Sequence, residues 1–281
     1  MSKITDIRPS ALAGRWYPAN PEKLKESVDS YIYQAKLPEI SGEIIALISP
    51  HAGHIYSGPV AGYCFAALQN LSFDLVVILS PFHQHHSDAI LTTAHQAYQT
   101  PLGFVPVDQP SLEAIEGALK ERTGIQVNRV KNDSEHAVEI LLPFFQRSLV
   151  GEFNLLPLMI HQQEPELMRT LGEVLADTLK DKKALLVAST DLSHFHTAEK
   201  AEDLDQTIIN NIKALDPDGL YLAQAKGSGS ACGLGALAAV MWAANMTGPV
   251  TAHTLNYAHS GDITGDNSSV VGYTSAVLTR K

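Results

Sequence analysis

Four short apolar runs, each ending in turn-forming and polar residues, constrain this chain most. Residues 44–48 lead into Ser49-Pro50-His51, residues 75–79 into Ser80-Pro81-Phe82-His83, residues 153–160 into His161, and residues 185–188 into Ser189-Thr190-Asp191. Runs this short, apolar on both faces and bounded by turn residues, read as buried parallel strands. Helical patterns lie between them, over 21–35, 59–68, 111–122, 135–149, 164–179, 201–215 and 231–245. The pattern over 135–149 puts Val138, Leu141, Leu142 and Phe145 on one face, with Asp133 or Ser134 available as cap. Residues 269–278 read as a further strand. This alternation predicts a layered α/β architecture around a mainly parallel sheet.

Length and composition fit one α/β domain over residues 1–281, with no repeat, long linker or low-complexity tract. The 20 Lys and Arg against 30 Asp and Glu give a formal net charge of −10, which repels phosphate backbones and argues against a nucleic-acid partner. Two cysteines, Cys64 and Cys232, are too few for a disulfide scaffold and suit a reducing compartment. Residues 1–10 lack the apolar core of a signal peptide, and no apolar run approaches bilayer length. The expected location is the cytoplasm, with no membrane partner.

Where the polar residues fall is more informative. In open parallel sheets ligand crevices lie beyond the carboxyl ends of the strands. His51, His83 and Asp191 each follow such an end, so their side chains could converge. Alone, His51 reads as a hydrogen-bonded loop residue. The cluster His83-Gln84-His85-His86 suits a metal or solvent equally, and imidazole does not choose among Fe, Cu, Zn and Ni. Asp191 and His194 read as a base with its orienting partner, or as a helix cap and a first-turn residue. Cys232 follows Gly227-Ser228-Gly229-Ser230 and sits near a helix start, where the dipole favours thiolate. Glu135 and His136 open a helical pattern with Glu139 one turn on, and acidic groups there also suit capping. Residues 256–262 combine polar groups with a turn and read as pocket lining or as an ordinary loop.

Taken together, these segments resemble the MEMO family, called AmmeMemoRadiSam system protein B in prokaryotes. The matching pieces run in family order over nearly the whole chain: Ala13-Gly14-Arg15-Trp16-Tyr17-Pro18, Pro50-His51-Ala52-Gly53 with Tyr56-Ser57-Gly58, Ser80-Pro81-Phe82-His83, Asp133-Ser134-Glu135-His136 with Glu139 and Leu142-Pro143, Ser189-Thr190-Asp191-Leu192-Ser193-His194, Cys232-Gly233, and Asn256-Tyr257-Ala258 with Ser260. The resemblance implies a three-layer αβα fold with a mainly parallel mixed sheet, like that of class III extradiol dioxygenases. Those enzymes hold non-haem Fe(II) on two His and a Glu; in the MEMO family a Cys takes the third position.

Carried over, His51, His83 and Cys232 would be the metal ligands. Asp191 would lie in or beside the metal shell, and His194 would match the acid/base histidine. Trp16, Tyr56, Glu135 and His136 are the expected substrate-binding residues. The family often has Gly-Pro-Ser-His or Gly-Pro-Asn-His where this chain has Ser80-Pro81-Phe82-His83, so a register slip would make His85 the second ligand. A thiolate in place of a carboxylate changes the chemistry, so ring opening does not follow from the fold.

The first expectation is therefore an Fe(II)-dependent, dioxygenase-like oxidoreductase acting on a small molecule or peptide, with copper or zinc as alternative metals. A non-catalytic metal- or peptide-binding module, with Trp16, Tyr17 and Tyr56 as a platform, and a zinc hydrolase are the competing readings. The prokaryotic family name implies AMMECR-type and radical SAM pathway partners.

Overall fold

In the computed structural model, which describes residues 4–281, a nine-stranded mixed sheet is flanked by helices on both faces. The strands are β2 (Glu43–Ser49), β3 (Leu75–Pro81), β4 (Ile90–Thr93), β7 (Val127–Val130), β8 (Asn154–Ile160), β9 (Ala184–Ser189), β10 (His194–His196), β11 (Val250–His259) and β12 (Val270–Arg280). Their order is β10-β12-β2-β9-β3-β8-β4-β7, with β11 also paired to β12. A small second sheet joins β1 (Ile7–Arg8), β5 (Ala97–Thr100) and β6 (Gly103–Pro106).

The parallel centre β2-β9-β3-β8 is made from the four apolar runs of the sequence. Its residues are almost all buried because both faces are covered. On one face α3 (Gln109–Thr123) and α8 (Leu234–Asn245) pack on α5 (Pro165–Leu179), and α8 lies over β9, β3 and β2. On the other, α1 (Pro21–Gln34), α2 (His54–Ala67) and α4 (Leu142–Ser148) pack together, with α2 over β2 and β12. Helix α8 is buried along nearly its whole length, which explains its Ala-rich, all-round apolar sequence. The helices α6 (Ala198–Ala214), α7 (Pro217–Ala225) and the short α9 (Gly261–Thr264) complete the chain.

Three expectations change. The helix expected over 135–149 begins later, as a 3₁₀ turn at Glu139–Leu141 followed by α4, because Glu135 is spent on other partners. Residues His194–His196 form strand β10 on the edge of β12, so neither a cap at Asp191 nor a helical first turn at His194 exists. Helix α2 starts at His54, five residues before the expected Pro59.

The N-terminal strand is tied to the far side of the chain by a buried arginine. Arg8 is 1% exposed; it donates to Asp133 at 2.9 Å, to Glu139 at 2.6 Å and to the Glu135 carbonyl at 2.8 Å. Glu139 also accepts from the Tyr17 hydroxyl at 2.7 Å and the Leu12 N–H at 3.0 Å. A buried charge is tolerated only when paired and hydrogen-bonded in this way. Glu139 and Tyr17 are thus structural. Tyr17 is nearly buried, its hydroxyl bonded to Glu139, while the residue also lines a cavity together with Trp16 and Tyr56.

Candidate metal centre

Strands β2, β9 and β3 are adjacent and parallel, so their carboxyl ends open on one edge. His51, Asp191 and His83 leave the sheet there, and the structure brings all three together. His51 is 1% exposed and donates its backbone N–H to Asp191 Oδ1 at 2.7 Å. Its ring lies 5.4 Å from that of His83 and 5.3 Å from that of His136, centroid to centroid.

The hydrogen bonds fix which ring nitrogens are free. The Ser189 hydroxyl donates to the Ala137 carbonyl at 2.7 Å, so its oxygen accepts from His51 Nδ1–H at 2.9 Å. Glu135 accepts the His83 backbone N–H at 2.7 Å and the His83 Nδ1–H at 3.0 Å. The same carboxylate accepts the N–H groups of His136 and Ala137, at 2.8 and 2.9 Å, and lies 3.3 Å from His136 Nδ1. In both His51 and His83 the engaged nitrogen is therefore Nδ1, and Nε2 is the one left to face a ligand. Ligating histidines are oriented by partners of this kind on the other nitrogen. Ligand atoms of His51, His83 and His136 all lie within 4.8 Å of one another, a group that could hold a divalent metal ion. His83 occupies this group; His85 lies outside it, its ring 5.9 Å from His161.

Cys232 meets the group at His51. Its Sγ lies 3.2 Å from His51 Nε2 and accepts the Asp191 N–H at 3.2 Å. The approach depends on Gly233, where a Cβ would sit 2.6 Å from the Ser189 carbonyl oxygen. Gln163 brackets the same turn, donating to the Cys232 carbonyl at 2.9 Å and accepting the Gly235 N–H at 2.6 Å. Nothing in its local sequence marked this glutamine. The helix start was expected to favour thiolate at Cys232. Burial and the neighbouring Asp191 instead push the thiol up, and its Sγ lies within reach of both His51 Nε2 and the Asp191 carbonyl.

Burial governs the other groups as well. It holds His51 well below its ordinary range, with His136 and His83 adding repulsion. It lowers His136 to about 4 and raises Asp191 to about 7, the latter against the stabilising N–H of His51. Glu135 is raised by burial but lowered more by its bonds from His83, ending at about 2. His194, half-buried on β10, is lowered by burial and then by His83.

A cavity of about 680 Å³ lies beside the imidazoles rather than over them. Trp16 joins the two: it lines the cavity, and its ring stands 4.4 Å from that of His136. Tyr56 and Tyr273 form further walls, and Ser260 comes from the polar turn after β11. Cys64 is a buried thiol pushed up to about 12 by desolvation, remote in role from Cys232.

Comparison with known proteins accords with these features. A crystal structure of an uncharacterized Escherichia coli K12 protein superposes with a TM-score of 0.52 over 85% of this chain and 100% of that one, at 15% identity, a likeness of fold alone. A MEMO1 family protein of Nitrosopumilus maritimus is 33% identical over 95% of this chain and 98% of its own length. Those of Methanosarcina mazei and Methanopyrus kandleri are 31% and 32% identical, each over 97% of this chain and 99% of its own. The model of the Memo-like protein family matches residues 8–277, and the chain belongs to that family.

Proposed function

We propose that this chain is a metal-binding protein with a dioxygenase-like site. His51, His83 and Cys232 hold Fe(II), with copper or zinc as alternatives, and redox chemistry acts on a small molecule or peptide in the adjacent cavity. The observation that carries this reading is the anchoring of His51 Nδ1 on Ser189 and His83 Nδ1 on Glu135, which leaves the Nε2 atoms of both rings free for one ion beside a thiol. Two imidazoles and a sulfur suit Fe, Cu or Zn, and no hard-oxygen set of the kind Ca or Mg prefers is present among these residues.

An iron held here supplies a Lewis-acid centre and one-electron chemistry for an O₂-dependent oxidation. The chain's own residues do the rest. Asp191 fixes the His51 backbone. His194, with its pKa lowered, is neutral at pH 7 and serves as proton acceptor. Trp16 and Tyr56 hold the substrate body at the cavity wall. Cytoplasmic location, which two free cysteines suit, and AMMECR-type and radical SAM pathway partners belong to the same proposal.

One observation favours a second ligand set. His136 lies within the 4.8 Å group, so His51, His83 and His136 would close a three-imidazole set with Cys232 outside it. The function is tested by anaerobic loading with Fe(II), elemental analysis and O₂ uptake over a panel of catechols and other small molecules. Retention of about one ion per chain with metal-dependent uptake supports it. Failure of any ion to survive dialysis ends the metal reading, and a retained ion without uptake across the panel leaves a binding module.

A further inference from the structure

We propose that the amino edge of the sheet, opposite the imidazoles, carries a second binding site, for a fatty carboxylate. The alkyl chain lies in an apolar groove and the carboxylate sits on Lys183 and Ser72. The site stands apart from the metal centre and needs no ion there.

Strands β2, β3 and β9 are adjacent and parallel, so the ends that point away from His51 and His83 also share an edge. The seven residues of β2 put about 20 Å between the two edges. A cavity of about 550 Å³ lies at the amino edge, within the range of small-molecule sites. Ile44 and Phe73 line it where β2 and β3 begin, and both are nearly buried. Ala66 and Ala67, at the end of α2, line it with side chains too short to fill it. Leu37 and Leu71 also line it and remain exposed, at 37% and 36%. Apolar side chains left in water around one concavity favour an apolar occupant. Among the lining residues Phe73 alone is aromatic, so the wall suits a hydrocarbon chain rather than a stacked ring.

The polar groups decide the head. The Lys183 ammonium donates to the Ser72 hydroxyl at 2.6 Å, and both residues line the cavity. An ammonium has three N–H donors, and a hydroxyl that accepts one of them keeps its own O–H. Two N–H groups and one O–H therefore remain for an acceptor, held in place by the bond between them. The other charged lining residue, Glu43, is occupied by Arg280 at 2.7 Å. A smaller cavity of about 100 Å³ shares Ile44, Phe73 and Lys183 and adds Lys180 and Lys182. Among the described residues the lysines in ion pairs are Lys25 and Lys131, so none of these three has a carboxylate. Asp181, between them in the chain, lines neither cavity. In a chain of net charge −10, three unpaired lysines beside an apolar groove make a local seat for an anion.

The test is calorimetric titration of the chelator-treated full chain with octanoate and with octanol. The acid should bind about five-fold more tightly, as one partly exposed ion pair gives, and raising the ionic strength should shrink that margin. Lys183→Gln should erase the margin and leave the affinity for octanol unchanged, while Leu71→Ser should weaken both probes. Trp16→Ala, at the other edge of the sheet, should change neither. Equal affinity for the two probes, a preference that survives Lys183→Gln or is lost in Trp16→Ala, or no binding of either overturns the proposal. Metal retention enters none of these outcomes, so a failure here leaves the metal reading standing, and loss of the metal reading leaves this site standing.

Discussion

One carboxylate, that of Glu135, takes both the backbone N–H and the ring Nδ1–H of His83, at 2.7 and 3.0 Å. The interaction holds the residue after β3 in place and sets its tautomer. Glu135→Gln keeps the shape but loses the charge and one acceptor. We expect metal affinity to fall by about 10- to 100-fold, the range for orienting partners of ligating histidines. Competition with a chromogenic chelator would measure it, and unchanged affinity would deny Glu135 this role.

Cys232 gives a proton signature. Its thiol is held protonated by burial, whereas His51 and His136 are already neutral at pH 7. If Cys232 is a ligand, loading a divalent ion at pH 7 must expel its proton, about one per ion. Titration in buffers of different ionisation enthalpy reads that number directly. It should vanish in Cys232→Ser and persist in His136→Ala; uptake of the ion by the unaltered protein with no proton released would favour the three-imidazole set.

His54 predicts a specific acid sensitivity. Burial lowers it to about 4, although its Nε2–H donates to the Ile140 carbonyl at 2.9 Å. The unfolded chain therefore binds this proton near pH 6.5 and the folded chain only near 4. Stability is full above 6.5 and is lost as pH falls from 6.5 toward 4, by about 3 kcal/mol at most. Denaturant midpoints of metal-free protein at pH 7, 5.5 and 4.5 should fall, and His54→Gln should make the fall shallower by up to that amount, with the remainder due to His51, His136 and His194, which burial also lowers.

Two glycines should respond oppositely to alanine. At Gly62 a Cβ would meet the Tyr31 carbonyl oxygen at 2.4 Å where α1 and α2 touch, so Gly62→Ala should cost about 1–3 kcal/mol as overpacking. At Gly117, inside α3, nothing lies within 4 Å, and Gly117→Ala should gain about 0.5–1 kcal/mol of helix propensity. Thermal unfolding of the pair decides both.

The strands that position the centre were legible because each is a closed apolar run stopped by Ser-Pro or Ser-Thr. Such runs have one stable place, the middle of a covered sheet, and that place puts His51, His83 and Asp191 on one edge. His136 was less legible as a cluster member. It follows no strand, and its segment has the apolar spacing of a helix; Glu135 takes the N–H groups of His136 and Ala137, and Asp133 and Arg8 take the Glu135 N–H and carbonyl, so these backbone groups are engaged outside a helix. Strand β11 was hidden for a different reason. It is half-buried throughout, so Val250–His259 shows neither an apolar run nor clean alternation. At Cys232 two known effects compete, and desolvation outweighs the helix terminus, a balance that depends on depth and not on spacing.

Strand β12 pairs Ala276 with Ile48 and fastens the loop after β9 through Leu192 N–H to the Gly272 carbonyl, 2.8 Å, and Gly272 N–H to the Ser193 carbonyl, 2.9 Å. It also furnishes Val271 and Tyr273 to the cavity. Cavity wall and loop geometry thus arise together, and only once two segments more than 200 residues apart have met. Local helices can form before that event, but a binding-competent chamber cannot. Ligand occupancy consequently reports closure of the whole sheet, and a variant that loosens β12 will lose its ligand while much of its helical signal persists.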